Sequence, residues 1–129
     1  MTSDNTSPNF NQYIGRSLSL LIVLSVIDRD KEHSGYSLIK RVNQLTRKQI
    51  SLRAGTIYPQ LEKLVEQGLI TYRFEDMNPE KSITRQKAIY SLTNEGRRIL
   101  SQMWKEWGEL ESILKNLRST EQQMGEEKL

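Results

Sequence analysis

The sequence predicts a mainly α-helical chain with one small β-hairpin, an α+β fold class. Three observations support this prediction. Apolar residues recur with a helical period in three segments before residue 68. Two segments near residues 70 and 90 alternate apolar and polar residues, as strands do. A long stretch after residue 93 spaces its apolar residues three and four apart, which is typical of a helix that packs against another helix.

The composition allows one small domain and excludes several kinds of site. The chain has 129 residues, of which 36% are apolar and 27% are charged, so a modest core is available. It has no cysteine, which excludes disulfide frameworks and thiolate metal sites. The longest apolar run, residues 18–27, is too short to span a bilayer. We therefore expect a cytoplasmic protein with no membrane partner, no metal and no cofactor.

The first quarter of the chain predicts a flexible arm, a buried helix and a loop. Residues 1–12 are polar, as flexible N-terminal arms are. Residues 14–27 are apolar on nearly every side, which predicts a buried helix. The charged segment DRDKEHSG that follows is predicted to be a loop. The single histidine, His33, lies in it, and we expect its side chain to be solvated.

Two amphipathic helices follow, over about residues 35–45 and 53–67. Ser34 is a predicted N-cap of the first, and Gly68 is the predicted end of the second. In each helix the apolar residues fall on one face; they are Leu38, Val42 and Leu45 in the first and Ile57, Leu61, Leu64 and Val65 in the second.

The second half of the chain predicts a hairpin and a long helix. Residues 70–74 and 87–92 alternate as two strands, with a long polar loop between them. Thr93 is a predicted N-cap of a helix over residues 93–118, and residues 119–129 are a predicted flexible tail. The order of elements is that of a winged helix-turn-helix domain over residues 13–92, with an additional long C-terminal dimerisation helix.

Charge is distributed unevenly along the chain. Between the consecutive acidic residues Glu32 and Glu62, the sequence has five lysines and arginines and no acidic residue. Such a stretch attracts phosphate backbones. The alternative is a solvated helical face that happens to carry few acids.

The helix over residues 53–67 has an unusual first third. Gly55, Thr56, Pro59 and Lys63 fall opposite its apolar face, and Tyr58 lies at the flank. A face so bare of bulk allows close approach to another surface. The N-terminus of a helix also attracts phosphate. The alternative is that the helix begins late, with Pro59 in its first turn, where proline is tolerated.

Three motifs resemble those of PadR-type transcriptional regulators. GTIYPQLEKLVEQGLI (55–70) is similar to a G-T-L-Y-P helix followed by a G-L-I turn, SGYSLIK (34–40) to H-G-Y-x-L-I-K, and AIYSLTNEG (88–96) to K-Y-Y-x-L-T-x-x-G. The sequence departs from the family at Ser34, where histidine is common, and at Ala88, where a basic residue is missing. In the strand-loop-strand wing, Lys81, Arg85 and Lys87 could compensate for the missing basic residue.

The resemblance implies a homodimeric regulator of double-stranded DNA, a repressor more than an activator, on an inverted-repeat operator. The helix at 53–67 would enter the major groove, and the wing, about residues 70–92, would lie on the backbone or in the minor groove. Tyr36 also matches a family motif, but we favour a core position for it. The predicted DNA-binding residues are Lys40, Arg47, Lys48, Arg53, Thr56, Tyr58, Pro59, Lys63, Lys81, Arg85 and Lys87.

The apolar seam of the last helix would expose a large patch on a single subunit, so a two-fold dimer is the simple solution. The N-terminal helix is expected to share that interface. The predicted interface residues are Leu18, Leu21, Leu100, Met103, Trp104, Trp107, Leu110, Leu114 and Leu117.

The sequence also bears on an effector site and on two other functions. Trp104 and Trp107 could border a site for a small, flat hydrophobic effector, as in some PadR-like proteins, although packing in the dimer core is the favoured interpretation. An enzyme is disfavoured because the one histidine has no cysteine to pair with and the carboxylates are not grouped. A winged-helix protein–protein adaptor that does not read DNA remains the alternative.

Overall fold

A computed structural model describes residues 15–77 and 86–118. Four helices and two strands follow one another in the predicted order: α1 Arg16–Asp30, α2 Gly35–Leu45, α3 Ala54–Glu66, β1 Ile70–Asp76, β2 Gln86–Leu92 and α4 Asn94–Asn116. The predicted N-terminal arm and C-terminal tail, residues 1–12 and 119–129, lie outside the described residues. None of the described helices is long and apolar enough to cross a membrane.

The core lies where α1, α2 and α3 meet the base of the hairpin and the first turns of α4. Burying such a cluster of aliphatic side chains is the main force that holds these elements together. Its buried members come from every element: Leu21, Val23, Leu24, Val26, Ile27, Leu38, Val42, Ile57, Leu61, Leu64, Leu69, Ile70, Leu92 and Leu100.

Local signals fix the predicted ends of three helices. The Ser34 hydroxyl accepts from the Ser37 amide, and Ser37 bonds back to Ser34, which completes a capping box at the start of α2. The Thr93 hydroxyl caps α4 by accepting from the Gly96 amide. Gly68 follows α3 with φ +75, the left-handed conformation that favours glycine at this position.

The first helix is longer than the sequence indicates, and His33 is not solvated. The helix α1 runs through Asp28 and Arg29 to Asp30, three residues into the predicted loop. The His33 side chain is only 10% exposed. Its ring nitrogens bond the Asp30 carboxylate and the Ser37 hydroxyl, each at 2.7 Å. The prediction of a solvated histidine is therefore wrong, because His33 holds the end of α1 against the start of α2.

The two strands pair antiparallel along their whole length, from Ile70 opposite Leu92 to Asp76 opposite Gln86. They are longer than predicted by two residues in β1 and one in β2. His33 exchanges main-chain hydrogen bonds with Tyr90, so a single β-bridge joins the α1–α2 connection to β2. The hairpin is thus tied to the helices at its base, and we call it the wing.

The start of α4 is attached to the turn between α3 and β1. The Thr93 hydroxyl donates to the carbonyl oxygens of Gly68 at 2.6 Å and Leu69 at 3.1 Å, and the Thr93 amide donates to Leu69. Gly96 is buried directly against the Leu69 carbonyl, where a Cβ would overlap that oxygen. Glycine is required here by the close approach of two backbones.

Candidate nucleic-acid interface

The N-terminal third of α3 is exposed, as the sequence predicts. The helix begins at Ala54 with Arg53 as N-cap, and no side chain among the described residues caps it. Its first amides are thus left for an external acceptor such as a phosphate oxygen. The predicted DNA-binding residues of this helix are all on the surface; they are Arg53, Thr56, Tyr58, Pro59 and Lys63.

Gly55 and Pro59 are residues that disfavour a helix, and both lie on the exposed surface of α3. Gly55 has no positive φ, and a Cβ added to it would have no described atom within 4 Å. Pro59 lies inside the helix rather than in its first turn, so the alternative of a late helix start is wrong. Because Pro59 has no N–H, the carbonyl of Gly55 loses its helical donor. Both residues weaken α3.

Tyr58 has a structural role in addition to its exposed edge. Its ring occupies the space that a Cβ on Gly35 would need, so it packs on the first turn of α2. Its side chain remains 45% exposed. The close contact explains why glycine follows Ser34, and it joins the two helices of the helix-turn-helix.

The turn between α2 and α3 carries two basic residues in strained backbone. Arg47 and Lys48 have φ of +54 and +64, values that non-glycine residues rarely adopt. The Thr46 hydroxyl holds the turn by donating to Val42 and accepting from the Ile50 amide. Both basic side chains are exposed. Non-glycine residues in this conformation lower the stability of a protein, and such strained positions are often functional.

The stretch that is free of acids in sequence is not free of them in space. Arg41 donates to the Asp30 carboxylate at 2.9 Å, and His33 binds the same carboxylate. Hydrogen bonding by His33, together with Arg41, holds the pKa of Asp30 below its usual value, against the opposing effect of burial. The charge of Arg41 is therefore used within the subunit, whereas the predicted contact Lys40 is exposed.

Tyr36 is on the surface, so the favoured core position is wrong. Its side chain is 67% exposed, and the Lys40 ammonium lies 5.4 Å from the centre of its ring. The two residues are one helical turn apart, where a cation and an aromatic ring can attract each other. Both side chains are thus exposed on the surface of α2.

Of the three predicted DNA-binding residues of the wing, one lies within the described residues. Lys87 is exposed near the outer end of β2, 4.0 Å from the Glu75 carboxylate. Arg73 bonds Glu75 and, at 2.7 Å, Glu32 of the α1–α2 connection. Lys81 and Arg85 lie outside the described residues.

Two exposed aromatic residues on the wing were missed by the sequence analysis. Alternation correctly puts Tyr72 and Phe74 on one face of β1, yet beyond Ile70 that face is not covered by the core. Tyr72 and Phe74 are 46% and 58% exposed. Their position beyond the last buried residue of the strand is a signal that the sequence contains, but only the fold shows where burial ends.

The predicted dimer seam divides into two halves. Leu21 and Leu100 are buried in the subunit's own core, so their assignment to a subunit interface is wrong. Leu18, Met103 and Trp107 are partly buried against the same core. The outer half of α4 remains exposed and includes Ile113, which was not predicted; the residues are Leu110, Ile113, Leu114 and Leu117.

The two tryptophans lie in different surroundings. Trp107 packs against the core, whereas Trp104 is half exposed and donates from its indole nitrogen to the Ser25 hydroxyl at 3.0 Å. Trp104 borders an open groove of about 280 Å³ between α1 and α4. The groove is lined mainly by polar and charged side chains; its residues are Ser25, Asp28, Arg29, Arg97, Leu100, Ser101 and Trp104. In residues 15–77 and 86–118 no cluster of acidic residues and histidine could hold a metal ion.

Comparisons with known proteins place this geometry in a family. The profile of the transcriptional regulator PadR-like family matches residues 23–102. The transcriptional regulator YqjI of Escherichia coli (strain K12) is 40% identical over 65 residues, which are 50% of this chain and 31% of that protein. The chain therefore spans about a third of the length of the curated relatives it matches.

Solved structures share the fold. A PadR family transcriptional regulator from Eggerthella lenta DSM 2243 superimposes with a TM-score of 0.68 at 27% identity, over 81% of this chain and 85% of that one. Bacillus subtilis PadR, solved in complex with operator DNA, superimposes with a TM-score of 0.56 at 27% identity, over 66% of this chain and 45% of that one. The predicted winged helix-turn-helix is thus confirmed, and so is a regulator rather than an enzyme. Because the profile covers more than half of the sequence, the chain belongs to the PadR-like family of transcriptional regulators.

Proposed function

We propose that the chain binds specific sites on double-stranded DNA as a cytoplasmic homodimer and represses transcription. In this proposal α3 enters the major groove by its N-terminal end. The wing lies on the backbone or in the minor groove. The likeness to Bacillus subtilis PadR, which was solved with operator DNA, supports DNA as the partner.

The observation that carries the proposal is Gly55. Alanine would be more stable than glycine at this helix position, and its Cβ would meet no described atom of the subunit within 4 Å, so a surface outside the subunit explains the glycine. Pro59 lies on the same exposed face and also weakens the helix. Together they leave the helix tip narrow enough to approach base edges.

Charge supports the same partner. Arg53, Lys63 and the strained pair Arg47 and Lys48 are exposed on α3 and on the turn before it. Cations in such positions neutralise phosphates, and the counterions that they displace make binding depend steeply on salt. Tyr36 and Lys40 add an exposed ring and a cation on α2, where the preceding residue, Gly35, is covered by Tyr58 of α3.

A salt titration tests the proposal. Affinity for duplex DNA, read by fluorescence anisotropy, should fall steeply as salt rises, and Arg53→Ala should lower the slope by about one per lost phosphate contact. Lys105→Ala, at an exposed position on α4, is the matched control and should leave the slope unchanged. Tyr58→Phe keeps the ring on Gly35 and removes only the hydroxyl. It therefore tests a contact between that hydroxyl and DNA without disturbing the packing of α3 on α2.

Two results would count against the proposal. Unchanged affinity in both Arg53→Ala and Tyr58→Phe would remove α3 as the recognition helix. Binding that is absent or insensitive to salt would favour a protein–protein adaptor.

The homodimer is supported by the outer half of α4. Four large aliphatic side chains lie exposed within two turns, a patch that a second α4 would bury around a two-fold axis. Two-fold symmetry implies an inverted-repeat operator with half-sites about 10 bp, or a multiple of that, apart. Because Trp107 packs on the subunit core, substitutions at Leu114 or Leu117 test the interface more cleanly than substitutions at Trp107.

An effector site beside Trp104 is a further part of the proposal. The indole is half exposed at the edge of the groove between α1 and α4. A flat hydrophobic molecule could stack on the indole. The same molecule would also contact the charged side chains of the groove, Asp28, Arg29 and Arg97. Trp107 is not part of that lining.

A further inference from the structure

The two faces of the wing differ in chemistry. On one face, Tyr72 lies opposite Tyr90, and Phe74 lies opposite Ala88. We call Tyr72, Phe74 and Tyr90 the aromatic face. The other face carries Arg73, Glu75 and Lys87 together with the buried Ile89, and there Arg73 bonds Glu32 and Glu75.

The aromatic face is ordered although much of it is exposed. The rings of Tyr72 and Phe74 meet edge to face with centres 5.3 Å apart, and Tyr72 and Tyr90 are 6.1 Å apart. Such contacts hold the rings in place before any partner arrives. Phe74 nevertheless has 58% of its surface in solvent, and an exposed aromatic patch of this kind marks an interaction surface.

The aromatic face lies beside the exposed start of α3, because Tyr90 exchanges main-chain hydrogen bonds with His33 and the Tyr58 ring covers Gly35, two residues further along the chain. Burial raises the pKa of the Tyr90 hydroxyl, and the neighbouring Tyr58 and Glu62 of α3 add to the rise. The opposite face is turned towards the α1–α2 connection, since Arg73 reaches Glu32 there at 2.7 Å. A duplex seated on the start of α3 would therefore have the aromatic face beside it.

The chemistry of this face is suited to the apolar parts of a duplex. In residues 70–76 and 86–92, no lysine or arginine shares the aromatic face, and the charged residue that does share it is the acid Asp76. Attraction to phosphate is therefore not its force. Aromatic side chains do contact thymine methyl groups and wedge against base steps in the minor groove.

Resting on the proposed function, we propose that the aromatic face contacts deoxyribose and base-edge carbons of the duplex, next to the site of α3. Phe74 is the anchor, and Tyr72 supports it. The wing then contributes apolar contact from its aromatic face, which Lys87 on the opposite face does not share.

Phe74→Ala tests the contact. The probe is the duplex that the wild-type protein selects from a randomised pool. The variant should bind it about tenfold more weakly. The dependence of affinity on salt should keep its wild-type slope, because an apolar contact displaces no counterions. Thr71→Ala, exposed on the opposite face of the same strand, is the matched control and should bind as the wild type does.

A second measurement reads the sugars directly. Hydroxyl-radical footprinting should show protected deoxyriboses on the flank of the selected site, and Phe74→Ala should lose that protection while protection at the centre persists. Phe74→Leu, which keeps an apolar side chain, should retain most of the affinity. It also serves if the alanine variant does not fold.

The outcomes separate this contact from the proposed function. Wild-type affinity in Phe74→Ala, with a wild-type footprint, would overturn the aromatic-face contact alone. A changed subunit number in light scattering would overturn it as well, since the face would then lie between protein copies. A wild-type protein that selects no duplex would overturn both.

Discussion

Gly55→Ala should make the protein more stable and a poorer DNA binder. Alanine is favoured over glycine by about 0.8–1 kcal/mol inside a helix. Gly55 is the second residue of α3, near the frayed end, so about half of that gain is expected. The new methyl group meets no described atom within 4 Å, so nothing opposes the gain. The free energy of unfolding should rise by about 0.5 kcal/mol, and Tm by about 2 °C.

The same methyl group would stand between α3 and the DNA. Forcing one extra carbon into a well-packed contact costs about 1–3 kcal/mol, so affinity should fall by about tenfold or more. Urea denaturation gives the stability, and fluorescence anisotropy with the selected duplex gives the affinity. Gly108→Ala in α4 is the control, since it also has no neighbour within 4 Å. It should stabilise the protein and leave affinity unchanged. A Gly55→Ala protein that binds as tightly as the wild type would refute the reasoning.

Three further changes test the fold and the assembly. Gly96→Ala should lower the free energy of unfolding by about 2 kcal/mol, measured in urea, because its Cβ overlaps the Leu69 carbonyl; wild-type stability would mean that the two backbones are farther apart. Leu114→Glu should give folded monomers in light scattering, since the residue is exposed in the subunit; an intact dimer would place the interface elsewhere. The lowered pKa of Asp30 means that its contribution is complete above the unfolded pKa and is lost as pH falls below about 4. The Asp30→Asn variant should therefore be less stable at neutral pH, because it loses the ionic bond to Arg41. Its urea midpoint should also fall less than that of the wild type as pH is lowered below about 4. The same fall in both proteins would contradict this.

The helices α2 and α3 could be predicted closely because their signals are local. Ser34 caps one, Gly68 ends the other, and four-residue spacing marks the buried face of each. The end of α1 could not be predicted in this way. Asp28, Arg29 and Asp30 are helical because Asp30 is held by His33 and Arg41, and the second of these bonds comes from another helix.

Periodicity shows which residues share a face but not what covers that face. Tyr72 and Phe74 share the face of Ile70, as predicted, yet only Ile70 reaches the core. Tyr36 is apolar enough for the core but lies in solvent. The seam of α4 is continuous in sequence, and Leu100 and Leu117 end up in opposite surroundings because the core ends partway along the helix.

The attachment of Thr93 to Gly68 and Leu69 has a mechanical consequence. The helix α4 has 23 residues and is about 34 Å long, and its first residues are bonded to the turn that immediately follows α3. The helix α4 is therefore a rigid rod whose first turn is fixed beside α3, the proposed recognition helix. A tilt of a few degrees imposed at its far end would reorient α3 without unfolding any helix, so in the proposed homodimer the distance between the two α3 helices could be adjusted from the far end of α4.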